Sequence, residues 1–159
     1  MCALTACATA TRYSASSDIH DFLVAVRDDD QAAFDAHIDR PALKADLKAR
    51  LLAAAADRYG VASPRILGAL ALAGPIANLA VDNLVRPEVF QAVAALAGYG
   101  PETRVPNFLV IGQTVKPLDS ERVCVIIKRS CTFIFRHEDG GWKMVAFDGD
   151  LGLLNRRRL

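Results

Sequence analysis

The sequence predicts an α+β domain with a helical N-terminal half packed on a C-terminal antiparallel sheet of three to four strands. Three observations carry this. Up to about residue 98, apolar residues recur at helical spacing, and Pro41, Pro64 and Pro87 each stand where a helix would begin. After Pro101 the period turns to alternation and β-branched residues gather. Asp139-Gly140-Gly141 then supplies a tight hairpin turn, because glycine reaches positive φ without strain. Helices followed by strands is the chain order of an α+β fold.

Taken in order, Ala8 to Ser17 is small and polar and reads as a flexible lead-in. Residues 1–17 are therefore expected to be a tether or signal remnant, 18–150 one domain, and 151–159 a basic tail ending in Arg156-Arg157-Arg158. Ser17 or Asp18 suits a helix N-cap. Phe22, Leu23, Val26, Ala33 and Phe34 follow at helical spacing, interrupted by Asp28-Asp29-Asp30. Adjacent carboxylates repel in a helix and favour caps, so two helices are expected, at about 18–28 and 30–38. The Asp run lacks the alternating ligands of a calcium loop and reads as a solvated junction.

From Pro41, Leu43, Leu47, Leu51 and Leu52 form an apolar stripe while Lys44, Asp46, Lys48 and Arg50 face out, and Gly60 closes the helix. Ser63-Pro64 opens Ile66–Val85, the most apolar run of the chain. Its length suits a membrane span of about 20 residues, but Asp82 inside it, with Gly68, Gly74 and Pro75, argues for a buried core helix kinked or restarted at Pro75. Pro87 opens a helix through Phe90, Val93 and Leu96 to Gly98. The strand candidates are Phe108–Ile111, Arg122–Lys128, Thr132–Arg136 and Trp142–Phe147, with a turn at Pro117–Ser120. Trp142 is expected to be buried, since Met144 and Ala146 share its strand face.

Nineteen basic residues against eighteen acidic ones give a net charge of +1, so no overall field favours nucleic acid. The four cysteines form no C-x-x-C pair and no His cluster accompanies them, which argues against a metal site. Cys124 and Cys131 fall in neighbouring strand candidates, where a bond depends on register; two buried free thiols are the expectation. His20, His37 and His137 are scattered, and neither a G-x-S-x-G elbow nor a phosphate loop is present. Nothing in the sequence calls for a cofactor.

The polar groups Asn78, Asp82 and Arg86 recur every four residues and so share a helix face. They are the candidate ligand-binding residues. Asp82 would serve either as a proton acceptor in a pocket or as one half of an exposed pair with Arg86. At the N-terminus, Leu4-Thr5-Ala6-Cys7 has the form of a bacterial lipobox, which makes Cys7 the candidate lipidation site, although the charged start and apolar stretch of a signal are missing.

Three stretches carry a family resemblance: F-L-V-A-V-R-D-D-D-Q-A-A-F-D-A-H-I-D-R-P-A-L-K-A-D-L-K-A-R-L, P-I-A-N-L-A-V-D-N-L-V-R-P-E-V-F and F-R-H-E-D-G-G-W-K-M-V-A-F. Over about Phe22 to Phe147 they resemble a bacterial family of domains without assigned activity, whose members usually carry an N-terminal membrane segment. A looser likeness is to the cystatin- or nuclear-transport-factor-like, ketosteroid-isomerase-type cone fold, which implies a pocket between a curved sheet and its helices and hosts enzymes and binding modules alike. The resemblance implies a module tethered to the bacterial envelope and facing the periplasm, with the cytoplasm as the alternative setting. Its expected partner is a protein or a small apolar ligand, and a homodimer is compatible with the sequence. The competing reading is a small isomerase or hydrolase with Asp82 as general base.

Overall fold

The computed structural model describes residues 3–60, 64–96, 98–127 and 129–147, with side chains from residue 8 apart from those of Pro64 and Leu96. Six helices precede a four-stranded antiparallel meander among the described residues. The helices are α1 (Ala3–Asp28), α2 (Gln31–Ala36), α3 (Arg40–Tyr59), α4 (Pro64–Leu84), α5 (Pro87–Leu96) and α6 (Phe108–Thr114). The strands are β1 (Val115–Pro117), β2 (Arg122–Ile127), β3 (Ser130–Glu138) and β4 (Gly141–Phe147), paired in chain order. The fold is thus α+β, with helices first and the sheet after.

The core forms where α1 crosses the sheet. Ala15, Ile19, Phe22 and Val26 are buried at steps of four, three and four residues, one continuous stripe of the helix. The stripe meets Val123, Phe135, Trp142 and Met144 of the sheet. Phe22 is the hub: its ring centroid lies 5.3 Å from Phe34, 5.7 Å from Phe90 and 6.0 Å from Phe135. The pairs with Phe90 and Phe135 are edge-on and that with Phe34 is tilted; aromatic pairs add about 0.5–1.5 kcal/mol each beyond the area they bury. Trp142 is 3% exposed, as its strand pattern predicts.

Residues 8–17 are not a lead-in. They are the N-terminal half of α1, and Ala15 and Ser16 are fully buried. Their smallness serves close packing. A Cβ on Gly112 of α6 would meet the Tyr13 ring at 3.1 Å and Ser16 Oγ at 3.3 Å, so α6 sits directly on this part of α1. Ser16 Oγ donates to the Arg12 carbonyl at 2.6 Å, which satisfies its hydroxyl inside the helix. Asp18 is therefore not an N-cap. It lies mid-helix and accepts from the Trp142 backbone N–H at 2.6 Å, while Ser14 Oγ accepts from the indole Nε1–H at 3.1 Å. Both bonds fasten α1 to the start of β4.

The Asp28–Asp30 junction is solvated, as its sequence suggests: Asp28 pairs with Arg27, Asp29 takes a positive φ, and Asp30 caps α2 by accepting from the Ala33 N–H. Phe108–Ile111 is a second correction. It forms α6 rather than a strand, because Asn107 accepts from the Val110 N–H as N-cap and the buried neighbours Ile111 and Gly112 face α1. The first strand is instead Val115–Pro117. The hairpin between β3 and β4 turns through Asp139 and Gly140, both at positive φ. The outer edge of β4 is closed in turn: Met144 exchanges backbone hydrogen bonds with His37 and Asp39, so the α2–α3 link covers a strand edge that would otherwise be open.

Cys124 and Cys131 are bonded, not free. Pairing of Ile126 with Cys131 and of Cys124 with Ile134 brings the two backbones within 5.6 Å at Cα, well inside bonding range. The largest departure concerns α4. The helix runs through Pro75 without a break in its assignment, and it is not buried.

Two substitutions separate core from surface. Phe22→Ala should lower the unfolding free energy by about 3–5 kcal/mol in denaturant titration. Leu72→Ala, on the outer side of α4, should change it by about 0.5 kcal/mol or less. A larger loss at Leu72 than at Phe22 would contradict this placement of the core.

Candidate functional site

The exposed surface of α4 follows from its packing. Among its described residues Ala73, Ala77 and Val81, one residue every turn, are the buried ones, and its main neighbour is α3. Outside that line the helix shows Leu67 (68% exposed), Leu70 (48%), Leu72 (58%), Ile76 (47%) and Leu79 (65%) to solvent. Arg65–Leu84 is long and apolar enough to cross a membrane by length and composition, yet only 17% of its apolar window is buried. Burying a Leu or Ile side chain fully is worth about 1.5–3 kcal/mol. Five that remain half exposed leave roughly 5 kcal/mol unrealised, similar to the whole net stability of a small domain. Five large apolar side chains of one helix thus stand in solvent.

The sequence-derived candidates lie at the C-terminal end of this helix. Asn78, Asp82 and Arg86 are all exposed. None of the three lines either of the two surface grooves described below. Asp82 Oδ1 is 2.8 Å from Lys44 Nζ of α3, so its ion-pair partner is Lys44 rather than Arg86. Arg86 Nε instead donates to the Asp82 carbonyl at 3.2 Å. Arg40 donates through its guanidinium to the Val85 carbonyl at 2.9 Å and the Val81 carbonyl at 3.4 Å. A helix C-terminus leaves its last carbonyls without intrahelical donors and carries partial negative charge. Arg40 and Arg86 answer both, and the structural work of this polar knot is to end α4 and fix it to α3.

Arg40 also meets Asp35 of α2 at 2.6 Å. Partial burial of the Asp35 carboxylate works to raise its pKa. Hydrogen bonds from Arg40 and Gln31, with the Arg40 charge, outweigh that and hold the carboxyl below the usual carboxylate range. Arg40 was not singled out by sequence reasoning. Its signal was its place between the Asp39 cap and Pro41, where an N-terminal cation opposes the helix dipole and so needs another reason to be there.

Two surface grooves lie elsewhere. One runs between His20 and the Arg104–Asn107 segment, where His20 Nδ1 bonds the Pro106 carbonyl at 2.8 Å. The other lies between the start of α3 and the outer sheet face, and includes Asp39, Asp46, Arg122 and Arg136. Its charges are mutually paired: Arg136 bridges Asp39 and Glu138, Arg122 holds Asp119, and Arg50 holds Asp46. Neither groove includes Asp82. Among the described residues no three His, Cys, Asp or Glu side chains stand together as a metal site. The side chain of Cys7 lies outside the described residues; its backbone belongs to the first turns of α1.

These features define a class: an α+β domain closed around α1, carrying an apolar helix on its exterior. The chain belongs to the family described as "Protein of unknown function (DUF2939)", which matches residues 3–93, more than half of the 159 residues. The match takes in α1 to α4 and most of α5, so the exposed helix lies within it and the sheet outside it. It starts earlier and stops sooner than the span of the sequence resemblance, leaving out F-R-H-E-D-G-G-W-K-M-V-A-F. No curated protein and no solved structure matches the chain.

The Arg40 clamp has a pH signature. A carboxyl whose folded pKa is depressed contributes stability above its unfolded pKa of about 3.9 and loses it as pH falls through the folded value. Hydrogen exchange in the last turns of α4 should therefore stay slow from neutral pH down to about pH 4 and quicken below it, after correction for intrinsic exchange rates. Arg40→Met should quicken it at every pH. Exchange at α4 unaffected by Arg40→Met would contradict the clamp.

Proposed function

We propose that this chain is a non-catalytic, envelope-associated module that binds its partner through the exposed apolar surface of α4. The observation that carries the reading is the row of half-exposed leucines on a helix whose buried line is only alanine and valine. A binding surface needs this, and a catalytic centre does not. The enzyme reading with Asp82 as general base lacks comparable support, because the Asp82 side chain is 52% exposed and paired with Lys44. Asn78, Asp82 and Arg86 enter the reading as the polar rim of the apolar surface, where they would orient a partner rather than react with it.

The setting we propose is the periplasmic face of a bacterial envelope membrane. The Cys124–Cys131 disulfide supports it, since disulfides persist in oxidising compartments and are rare in a reducing cytosol. Lipidation of Cys7, suggested by Leu4-Thr5-Ala6-Cys7, would supply the tether. Because α1 is continuous from Ala3, an acyl chain there would hold the buried Ala15 only about 12 Å along the helix from the anchor.

The test is made in cells expressing the native gene. The protein should fractionate with the envelope, with Cys124 and Cys131 resistant to alkylation until reduced. Photoreactive residues at Leu72 or Leu79 should give adducts that the same probe at Asp139, on the far hairpin, does not. Recovery in the soluble cytoplasmic fraction with both thiols free would contradict the setting, and equal absence of adducts at all three positions would contradict the surface.

A further inference from the structure

We infer that the partner of α4 is an anionic lipid surface: the helix docks in the plane of the headgroup–acyl boundary, with Arg58, Tyr59 and Arg65 among the headgroups. This rests on the reading of α4 as the working surface and names the chemistry of what covers it.

Three features select lipid. The first is where the apolar residues stand. At 100° per residue, Leu72, Ile76 and Leu79 occupy one flank of α4, Leu67 stands on the other side of the buried line Ala73–Ala77–Val81, and Leu70 continues that line toward the N-terminus, where it is exposed. A rigid partner of ordinary shape covers one flank. Acyl chains are fluid and cover both.

The second is charge. From Pro64 to Val81, Arg65 is the only charged residue. Arg65 and Arg58 stand 5.9 Å and 5.8 Å from the centre of the Tyr59 ring, so two guanidinium groups and an aromatic ring gather at the end of α4 that adjoins α3's C-terminus. Tyrosine and arginine are the residues that settle at the headgroup level, ring toward the acyl boundary and charge toward phosphate. Across residues 40–86 seven Lys and Arg face three Asp, although the whole chain is only +1, so the hairpin concentrates the protein's positive charge beside its apolar surface.

The third is the depth the helix can reach. α3 lies against α4 and carries Lys44, Asp46, Lys48 and Arg50, and Asp82 closes α4. These charges bar the pair from spanning the hydrocarbon, since a charged side chain at the bilayer centre is strongly disfavoured. They suit a hairpin lying in the interface, apolar face down and charged face in water.

The experiment is flotation of the full-length oxidised protein with vesicles of phosphatidylcholine alone or mixed with phosphatidylglycerol. The mixed vesicles should carry the protein and pure phosphatidylcholine should carry much less, with the difference shrinking as salt is raised. The triple variant L72S/I76S/L79S should partition at least tenfold more weakly. Arg58→Gln and Arg65→Gln should each reduce partitioning about fivefold, since each basic residue near an anionic surface contributes about 1 kcal/mol. Both arginines are exposed, so these variants report even where the triple variant fails to fold, and buried-type Trp142 emission serves as the check on folding. Failure of the folded wild type to float with anionic vesicles overturns the lipid assignment. If it then self-associates with concentration, and L72S/I76S/L79S abolishes this, the partner is a second copy and α4 remains the working surface. Failure of flotation, self-association and α4-specific adducts together overturns both readings.

Discussion

Everything in this fold depends on one contact: the α1 stripe pressed on the inner face of the sheet through Phe22. Phe34 of α2, Phe90 of α5 and Phe135 of β3 all meet that ring, so four elements from both halves of the chain are held at one point. The polar bonds around it repeat the constraint. Asp18 and Ser14 hold Trp142 at the start of β4, and Gln91 of α5 donates to the Val26 and Arg27 carbonyls, ending α1 as it fixes α5. Removing the ring would leave a cavity shared by four elements, which is why the cost is concentrated there.

Of α4, only Val81 joins this core among the described residues. The α3–α4 hairpin is joined to it at its base, where Leu43 and Val81 enter the core and Arg40 ties Asp35 to the end of α4. Beyond that base the main neighbour of α4 among the described residues is α3. The division of labour follows from composition. Phenylalanines fill the interior, small residues let α1 and α6 approach, and leucines are left on a helix that the domain does not need for its own closure. That surplus apolar surface is what the proposed binding role rests on, and its basic and aromatic end is what the proposed lipid chemistry rests on.

The order of helices and strands was legible because each boundary has a local cause: a proline at a first turn, a positive-φ glycine at Gly140, a change of period after Pro101. Three features were not legible, each for a physical reason. Ala8–Ser17 has the composition of a tether, but small residues also line close helix contacts, and only Gly112 across the way tells the two apart. Phe108–Ile111 is too short to show a period, and the Asn107 cap decided for helix. For α4, hydropathy recorded how apolar the run is and could not record whether anything covers it. The candidate site was half visible: Asn78, Asp82 and Arg86 do share the end of one helix, but Lys44 and Arg40, which give that end its geometry, come from another element. Disulfide register is likewise a property of the sheet and not of cysteine spacing.

The central claim, that the apolar face of α4 is open in the folded protein, is most directly tested by thiol labelling. Cysteine is placed singly at Leu72 and at Ala77, five residues apart and about 140° round the helix from each other, and reaction with a polar maleimide is followed at each site by peptide mass spectrometry in dilute native protein. The account predicts that Leu72→Cys reacts at nearly the rate of an unfolded thiol while Ala77→Cys is protected by orders of magnitude. Strong and equal protection at both positions would place α4 inside the core and contradict it.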